Sequence, residues 1–331
     1  MKTKTNILSY FLPRSLFLGG GISILFLYCN KDAYLSIILG TLLGIGIIYI
    51  ISKLKIKKTI SLKSDIFTRV IYIIYLLFLI FILLTILATF LYSYFLPFTP
   101  SIISCLPIII LASLMNSKSI KKITYVAEIL FSISLVLIFL KTSLLTNEFD
   151  FSNLLPIFST SPSSIFKTSI IFAILSTTPF LTMIDEDIDF KGTAKYYLLS
   201  MLTIFIVVLS ITVVLGEMVN IYSYPEYSVL RKISLFNFIE NIENFISAGW
   251  FFDIFICLSI ASLKLRETIN VKKNIIPFII IFIILVIVDK FIANNFYNSI
   301  AIYKMFPWIF ATISTIILTI TSIKKSRCKS T

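Results

Sequence analysis

The sequence predicts an all-α membrane protein with about ten transmembrane helices, and three observations lead to this fold class. Hydrophobic residues make up 58% of the 331 residues and charged residues only 14%, whereas roughly a quarter of an average soluble protein is charged. A soluble domain of this size could not bury so much apolar side chain. Apolar runs of bilayer-spanning length recur along the chain, and Lys and Arg concentrate in alternate connections.

Ten apolar segments follow one another with short connections between them. They cover roughly residues 12–29, 33–53, 66–95, 102–116, 121–141, 164–184, 195–219, 244–263, 274–294 and 302–323. Because a span needs about 20 apolar residues, these segments use up the chain, and we expect residues 1–331 to form a single integral membrane domain. No small-residue cleavage site follows Cys29, so we expect the first segment to be retained rather than removed as a signal peptide.

The distribution of Lys and Arg predicts the orientation of these spans. With the N-terminus in the cytoplasm, 22 of the 29 Lys and Arg residues fall on the inner side and 7 on the outer side. Adding or removing a span would destroy this asymmetry, so both termini are expected to be cytoplasmic. The seven outer residues are Lys31, Lys141, Lys167, Arg231, Lys232, Lys290 and Lys304.

Helix-breaking residues open both halves of the chain. Ten spans divide into five and five of opposite topology, which permits an inverted repeat over about 12–141 and about 164–323. Breaks at matching positions of two such halves indicate a transporter-type binding site, although close packing by small residues and an ordinary proline kink would also explain them. We predict breaks in helices 1 and 6, Pro179 as a structural or coupling residue, and these ligand-binding residues: Gly19, Gly20, Gly21, Ser23, Ser176, Thr177 and Thr178.

The second segment carries a different glycine pattern. Gly40 and Gly44 form a GxxxG pair, which is typical of a face where two membrane helices approach closely. No strand precedes these glycines, so the pattern does not indicate a phosphate-binding loop. We expect a helix contact here and no ligand.

Two acidic residues lie inside predicted spans, where a charge is costly and therefore suggests a function. Asp253 lies near the middle of the eighth segment, at a depth from which so short a side chain cannot reach water. We place it at the ligand-binding site as proton carrier, cation ligand or hydrogen-bond partner of a broken helix; the alternative is a structural carboxylate. Glu128, near the cytoplasmic end of the fifth segment, is predicted to have a structural or coupling role.

Several classes of function are excluded by what the sequence lacks. It contains no histidine, which removes His-based acid–base catalysis, Ser–His nucleophiles and most transition-metal sites. The four cysteines, Cys29, Cys105, Cys257 and Cys328, are far apart and show no CxxC spacing. We therefore expect no enzyme activity, no metal and no cofactor.

The remaining charges are explained by membrane topology. The net charge of +13 resides at segment ends without an aromatic-interleaved basic patch, so we expect no nucleic-acid partner. The lysines at 55, 57 and 58 could also contact anionic membrane lipid. The acidic patch of Asp185, Glu186, Asp187 and Asp189 lacks the glycine and the distal glutamate of a calcium-binding EF-hand loop and is predicted to be a solvated cytoplasmic loop.

The outer stretch at about 220–245 is amphipathic, aromatic and too polar to span a membrane. It begins around Tyr222-Ser223-Tyr224-Pro225-Glu226-Tyr227. A helix lying on the outer surface fits this composition. A lid over the binding site or a docking surface for a partner fits equally well.

Short motifs along the chain resemble the B subunit of bacterial spore germinant receptors, the GerAB-type endospore germination permeases. The most specific motif is in the outer stretch and the others come earlier in the chain. The residues that carry the resemblance are Tyr224-Pro225, Arg231-Lys232-Ile233-Ser234, Phe238, Glu240, Glu243 and Trp250, with Pro13-Arg14, Asp32-Ala33-Tyr34-Leu35-Ser36 followed by Gly40, and Ala127-Glu128-Ile129-Leu130. The sequence departs from the family pattern where Leu27-Tyr28-Cys29 replaces a proline, where the sixth segment lacks a Gly-Glu pair, and where Cys257 stands in place of a frequent lysine.

The resemblance implies a function as well as a fold. The family belongs to the amino acid–polyamine–organocation (APC) transporter superfamily, which implies a LeuT/APC-like five-plus-five inverted repeat. It also implies a small nutrient, often an amino acid, bound between broken helices 1 and 6, and assembly with an A-type membrane subunit and a C-type lipoprotein in the inner spore membrane. We expect a germinant receptor or permease subunit; the alternative is a stand-alone amino acid transporter coupled to protons or Na⁺.

The expected site has a simple chemistry. Amide N–H groups around Gly20 and Gly21 would hold the carboxylate of the ligand, because a broken helix end presents unpaired donors. Hydroxyl groups of Ser176, Thr177 and Thr178 would take its amine.

Overall fold

The computed structural model describes residues 5–53, 66–96, 98–116, 119–184, 189–233, 242–271, 275–293 and 304–317, and within them the protein is helical and has no strand. Helices are the expected solution because a span surrounded by lipid must pair its backbone groups internally. The expected all-α membrane class is therefore confirmed. Several residues discussed above lie outside the described ranges: the lysines at 55, 57 and 58, Asp185 to Asp187, Ser234, Phe238, Glu240 and Cys328.

Each predicted apolar segment contains a helix, and the first contains two. The α-helices are α1 (Leu8–Phe17), α2 (Ile22–Cys29), α3 (Ala33–Lys53), α4 (Ile66–Phe90), α5 (Ser101–Asn116), α6 (Ile120–Leu145), α7 (Pro162–Met183), α8 (Phe190–Leu215), α9 (Pro225–Leu230), α10 (Ile242–Ile269), α11 (Ile275–Val288) and α12 (Lys304–Ile317). One π-helical turn extends α4 (Leu91–Phe95) and another extends α11 (Asp289–Ala293).

Seven helical stretches in the described residues are long and apolar enough to cross a membrane. They fall in α2 with α3, α4, α6, α7, α8, α10 and α11, and α5 and α12 are apolar but shorter. Seven crossings are thus supported by length and composition, and the count of ten and the inverted repeat stay predictions.

Helix α1 lies in the interior of the bundle. Every residue from Leu8 to Phe17 is buried, and the helix packs against α7, α8 and α10. Large apolar side chains on α3, α6 and α11 face outward instead, for example Leu42, Val136 and Ile283. This arrangement is the one expected of a bundle whose outer surface contacts lipid and whose centre holds the polar groups.

The Gly40–Gly44 face of α3 is a helix contact, as predicted. A Cβ atom on Gly40 would lie 2.8 Å from the backbone oxygen of Ser169 on α7. One on Gly44 would lie 2.8 Å from Cζ of the Tyr197 ring on α8. Glycine at these positions lets three helices approach closely.

We expect Gly44→Ala to destabilise the protein by roughly 1–3 kcal/mol, the usual cost of overfilling a packed interior. Tyr197 cannot easily give way, because its ring is buried and its hydroxyl group is hydrogen-bonded to Ser176 Oγ at 2.9 Å. The matched control is Gly46→Ala two residues further along, where a Cβ atom meets no atom of the described residues within 4 Å. Thermal unfolding of the detergent-solubilised variants measures the difference, and equal melting temperatures would contradict the packing argument.

The predicted break in the sixth segment is wrong. Helix α7 continues through Pro179 from Pro162 to Met183. The hydroxyl group of Thr177 donates to the carbonyl of Ala173 at 2.7 Å, and that of Thr178 donates to the carbonyl of Ile174. Threonine hydroxyl groups bonded in this way keep a proline-containing helix intact inside a membrane.

Neighbouring helices also hold α7 in its helical form. Ser176 Oγ is bonded to Tyr197 Oη on α8, and Thr182 Oγ1 lies 3.2 Å from Tyr75 Oη on α4. Proline removes one backbone donor, but these contacts fix the helix on both sides of Pro179. The sequence pattern of a helix breaker is therefore overridden by packing.

Candidate functional site

The first segment is broken, as predicted, and the break is built from its three glycines. Helix α1 ends at Phe17 and α2 begins at Ile22. Gly19 has φ +80° and Gly20 has φ +133°, conformations that glycine adopts without the steric cost of a side chain. Gly21 serves differently: a Cβ atom there would overlap the backbone carbonyl of Leu16. The turn thus needs glycine twice for its dihedral angles and once for space.

The amide groups freed by this turn bind a carboxylate that belongs to the protein itself. Gly20 N donates to Glu226 Oε1 at 2.9 Å, and Gly19 N donates to the same oxygen. Since two amides converge on one anionic oxygen at the start of α2, the helix dipole adds to the attraction. The amides around Gly20 and Gly21 were expected to hold the carboxylate of a ligand, and that expectation stays a prediction. In the structure the carboxylate of Glu226 occupies the amides of Gly19 and Gly20.

Glu226 comes from the outer connection, which folds inward. Helix α9 (Pro225–Leu230) is buried along most of its length, and Glu226 has no exposed surface. The prediction of a helix lying on the outer surface is therefore wrong for these residues, because the amides draw the Glu226 side chain into the bundle. The other two interpretations of this stretch, a lid over the binding site and a docking surface for a partner, stay predictions.

Two further hydrogen bonds attach the outer connection to the bundle. Ser23 Oγ donates to the carbonyls of Gly20 and Ser223, each at 2.7 Å. Tyr224 Oη donates to Thr89 Oγ1 on α4 at 2.5 Å. Ser23, predicted to bind ligand, thus connects the turn with the outer connection.

Aromatic rings close the site on the side of α4 and α10. The Phe90 ring lies 5.1 Å from that of Trp250, 5.5 Å from that of Tyr224 and 5.6 Å from that of Tyr227. A Cβ atom on Gly19 would lie 3.6 Å from Trp250. The aromatic side chains of α4, α9 and α10 therefore pack together beside the glycine turn.

A buried ion pair lies next to the turn. Asp253 Oδ2 accepts from Arg14 Nη2 at 3.0 Å and from Nε at 3.3 Å. Both residues are buried, and Arg14 also donates to Tyr10 Oη. The count of Lys and Arg residues places Arg14 among the cytoplasmic flanking charges. In the structure α1 begins at Leu8, and Arg14 lies inside this helix as a buried residue.

A second pair of opposite charges is buried without direct contact. Lys141 on α6 has 4% of its surface exposed, and its Nζ atom has no hydrogen-bond partner among the residues that the structure describes. Within the same residues, Oε2 of Glu226 is also without a partner. Burial raises the pKa of the Glu226 carboxyl to about 7, and the charge of Lys141 and the two glycine amides oppose this rise. Lys141 is thus within electrostatic range of Glu226 but beyond hydrogen-bonding distance.

A cavity of about 20 Å³ lies beside these groups. Its lining includes Arg14 and Leu18 of the broken segment, Ser134 and Lys141 of α6, and Trp250 of α10. This volume accommodates about one water molecule, whereas ligand pockets typically measure roughly 300–1,000 Å³. This cavity is therefore too small for an amino acid.

The structure brings together only part of the predicted site. Gly19, Gly20 and Ser23 bind the outer connection, and Asp253 lies within electrostatic range of Glu226. The hydroxyl groups of residues 176–178 bond instead to carbonyls of α7 and to Tyr197. Glu128 is half-buried on α6.

Arg14, Lys141, Glu226 and Asp253 form a group of buried charges, which we call the charged centre. The sequence predicts a site role for Asp253 and misses the other three residues. Arg14 and Lys141 lie near the ends of apolar runs, where a basic residue is ordinarily explained by topology. The available signal was charge balance, because a carboxylate buried at mid-depth needs a cationic partner.

A discontinuous helix beside buried charges in a helical membrane bundle is the arrangement that many secondary transporters use for their substrate site. Comparison with known families agrees. A family model described as "Spore germination protein", a spore permease family, matches residues 15–297. The chain therefore belongs to the spore germination permease family, as the GerAB-type resemblance implied.

A search among curated proteins finds no significant match. The family match covers the glycine turn, Lys141, Glu226 and Asp253, so the whole candidate site except Arg14, one residue before its start, lies inside it. The family consists of membrane proteins of permease or receptor type and is not an enzyme family. In the described residues, no cluster of three or more His, Cys, Asp or Glu could hold a metal ion.

Proposed function

We propose that this protein is a membrane subunit of a nutrient receptor that binds a small molecule, an amino acid, and triggers spore germination. It would act with an A-type membrane subunit and a C-type lipoprotein in the inner spore membrane. In this proposal residues 12–141 and 164–323 form two five-helix repeats, and both termini are cytoplasmic. Membership of the spore germination permease family supports the proposal.

The observation that carries the proposal is the carboxylate held by the glycine turn. Gly19 and Gly20 present two converging amide donors to Glu226, and backbone donors at a helix start suit the carboxylate of an amino acid equally well. Arg14 and Lys141 add positive charge at the adjacent cavity. The site therefore has the chemistry that an amino acid's anionic end requires.

The amine would lie toward α7, the second predicted half of the site. Pro179 has no N–H group, so the carbonyl of Leu175 lacks its usual helical donor. The hydroxyl groups of Ser176, Thr177 and Thr178 can exchange their present hydrogen bonds for an ammonium group. Asp253 would tune the charge there, and Pro179 would let α7 bend when ligand enters.

Binding would be coupled to a conformational change. The cavity of about 20 Å³ is far smaller than an amino acid, so the ligand must bind a more open state. A ligand that binds one state more tightly shifts the population toward it, and partner subunits in contact with the moving helices would receive this change as the signal.

We expect Gly20→Leu to abolish the germination response to amino acids while the protein still inserts into the membrane. A leucine at φ +133° strains the backbone and displaces the amides that bind the carboxylate. Spores carrying the variant are compared with Gly46→Ala spores, and the amount of protein in spore membranes is measured by immunoblot. An unchanged response in Gly20→Leu would overturn the assignment of the pocket.

Receptor and transporter are separated by one experiment with purified protein in liposomes. A labelled panel of the twenty amino acids is tested for binding and uptake, with and without an imposed proton or Na⁺ gradient. Saturable binding without accumulation supports the receptor. Gradient-driven accumulation would establish the alternative, an ion-coupled amino acid transporter.

A further inference from the structure

The strongest unexplained feature of the structure is a complete carboxylate site that is already filled. Glu226 Oε1 takes both amide donors of the glycine turn, and no part of the Glu226 side chain reaches solvent. A ligand carboxylate cannot use the same amides while this oxygen is there.

Glu226 fills the two amide donors, but two polar atoms beside them have no hydrogen bond within the described residues. In the described part of the chain, its Oε2 atom has no hydrogen-bond partner, and neither has the buried Nζ of Lys141, which lines the cavity beside the turn. A buried cation without a hydrogen bond is costly. The positive charge of Lys141, which favours the ionised form of Glu226, would also favour a free carboxylate bound at the same amides.

Glu226 lies on a short helix of the outer connection. Helix α9 is only six residues long and is fastened to the broken segment chiefly through Glu226 and the Ser23–Ser223 hydrogen bond. Releasing the carboxylate would free α9 from the turn and disturb the aromatic layer around Trp250 and Phe90.

We propose that Glu226 is a built-in competitor that fills the carboxylate site formed by the Gly19–Gly20 amides and Lys141, so that a ligand's carboxylate must displace Glu226 and, with it, α9. This inference deepens the proposed function and rests on it for the ligand being an amino acid. The ligand class it specifies is a small molecule with a free carboxylate. The displacement of α9 is then the first structural step of the signal.

The first test uses simple carboxylates as the probe. Glu226→Ala removes the competitor and leaves two amides and Lys141 unpaired, so its melting temperature should fall. Titration with formate or acetate, against chloride at constant ionic strength, should raise the melting temperature of this variant saturably. Wild type should not respond. Glu217→Ala is the matched control, since Glu217 lies in the turn just before the outer stretch with its side chain 88% exposed. No saturable rise in Glu226→Ala would overturn the inference.

The second test uses Glu226→Gln, which preserves shape and removes the charge. A hydrogen bond to a charged acceptor is roughly twice as strong as a neutral one. A ligand's carboxylate should therefore displace the glutamine side chain from the two amides more easily than it displaces Glu226. We expect any amino acid that binds wild type to bind this variant about tenfold more tightly, and the corresponding amino acid amide, which lacks the carboxylate, to gain nothing. Equal or weaker binding of the amino acid would overturn the inference. If Glu226→Ala does not fold, the acetate titration is made on Glu226→Gln, with the same expected and contradicting results.

The two tests distinguish failure of this inference from failure of the proposed function. If no amino acid binds wild type or variants but acetate stabilises Glu226→Ala, the carboxylate site stands and the amino acid receptor falls. If amino acids bind wild type but acetate does not stabilise Glu226→Ala and Glu226→Gln does not bind more tightly, the receptor proposal is retained. Glu226 then has a structural role only.

Discussion

Replacing Asp253 by asparagine is expected to cost about 3–5 kcal/mol of stability, the usual result of removing one partner from a buried ion pair. The new amide side chain would still accept a hydrogen bond, but the guanidinium of Arg14 would keep its full charge in the interior. Asp253 Oδ2 is the atom that both Arg14 Nη2 and Nε contact, at 3.0 and 3.3 Å. Among the described residues, Tyr10 would remain as the direct partner of Arg14, through its hydroxyl group and its ring face.

A double-mutant cycle separates the pair from its individual members. The single variants of this cycle are Arg14→Met, which leaves a buried carboxylate alone, and Asp253→Leu, which leaves a buried guanidinium alone. Each should be at least as damaging as Asp253→Asn. The combination of Arg14→Met with Asp253→Leu should be more stable than either single variant, since no charge of the pair is then left unpaired. Unfolding of the four proteins in mixed micelles measures the coupling energy.

Glu217→Gln is the control for this cycle. It breaks an ion pair of 3.7 Å between Lys31 and a glutamate that is largely in solvent, and exposed pairs contribute little. We expect its melting temperature to match wild type. If Asp253→Asn is as stable as wild type, or if the double variant is less stable than both single variants, Arg14 and Asp253 do not stabilise each other's buried charge. The amino acid binding assay on folded Asp253→Asn, in which Arg14 is retained, shows whether the charge of Asp253 is needed for ligand.

The helices could be predicted because few backbone conformations satisfy their own hydrogen bonds inside a lipid bilayer. Each of the ten apolar segments contains a helix in the structure, since a polar backbone in hydrocarbon must form its hydrogen bonds internally. Gly19 to Gly21 also marked the break in the first segment correctly, because three consecutive glycines have no side chains that could hold a continuous helix.

The break expected at Pro179 could not be judged from the local sequence. Thr177 and Thr178 were read as freed hydroxyl groups, but they bond to carbonyls of their own helix. Tyr197 and Tyr75, which fix α7 from neighbouring helices, are far away in sequence. Whether a proline opens a helix depends on such tertiary partners, which no local pattern contains.

The charged centre also depends on tertiary contacts that the local sequence does not contain. Asp253 was identified because a short carboxylate at mid-depth has no route to water. Arg14 and Lys141 were assigned to topology, since the depth of a long basic side chain depends on where its helix begins. Glu226 meets Gly20 across 206 residues of sequence, and its polar, aromatic surroundings fitted a surface helix equally well. Its role follows only from the fold.

The glycine turn gives the second large effect, at Gly21. We expect Gly21→Ala to prevent the correct packing of α1 against α2, because the new Cβ would lie 2.7 Å from the carbonyl carbon of Leu16 and overlap its oxygen. Those are backbone atoms of a helix whose residues are all buried, so they cannot move aside as a flexible side chain could. Overpacking of this kind costs more than the usual ~1–3 kcal/mol, and most of the variant should be lost as aggregate.

Alanine substitutions at two other glycines test whether the effect at Gly21 comes from the lack of space for a Cβ atom. Gly19→Ala meets only ordinary contacts at 3.6 Å and is strained by φ +80° alone, a cost of roughly 1–2 kcal/mol. Gly46→Ala lies in open space on α3 and should match or slightly exceed wild type, since alanine favours a helix by about 1 kcal/mol over glycine. The fraction of monodisperse protein in size-exclusion chromatography after detergent extraction should therefore fall in the order Gly46→Ala, Gly19→Ala, Gly21→Ala. Full recovery of Gly21→Ala would mean that α1 and α2 can separate at this turn, and the carboxylate site would then owe its geometry to α9 rather than to the broken helix.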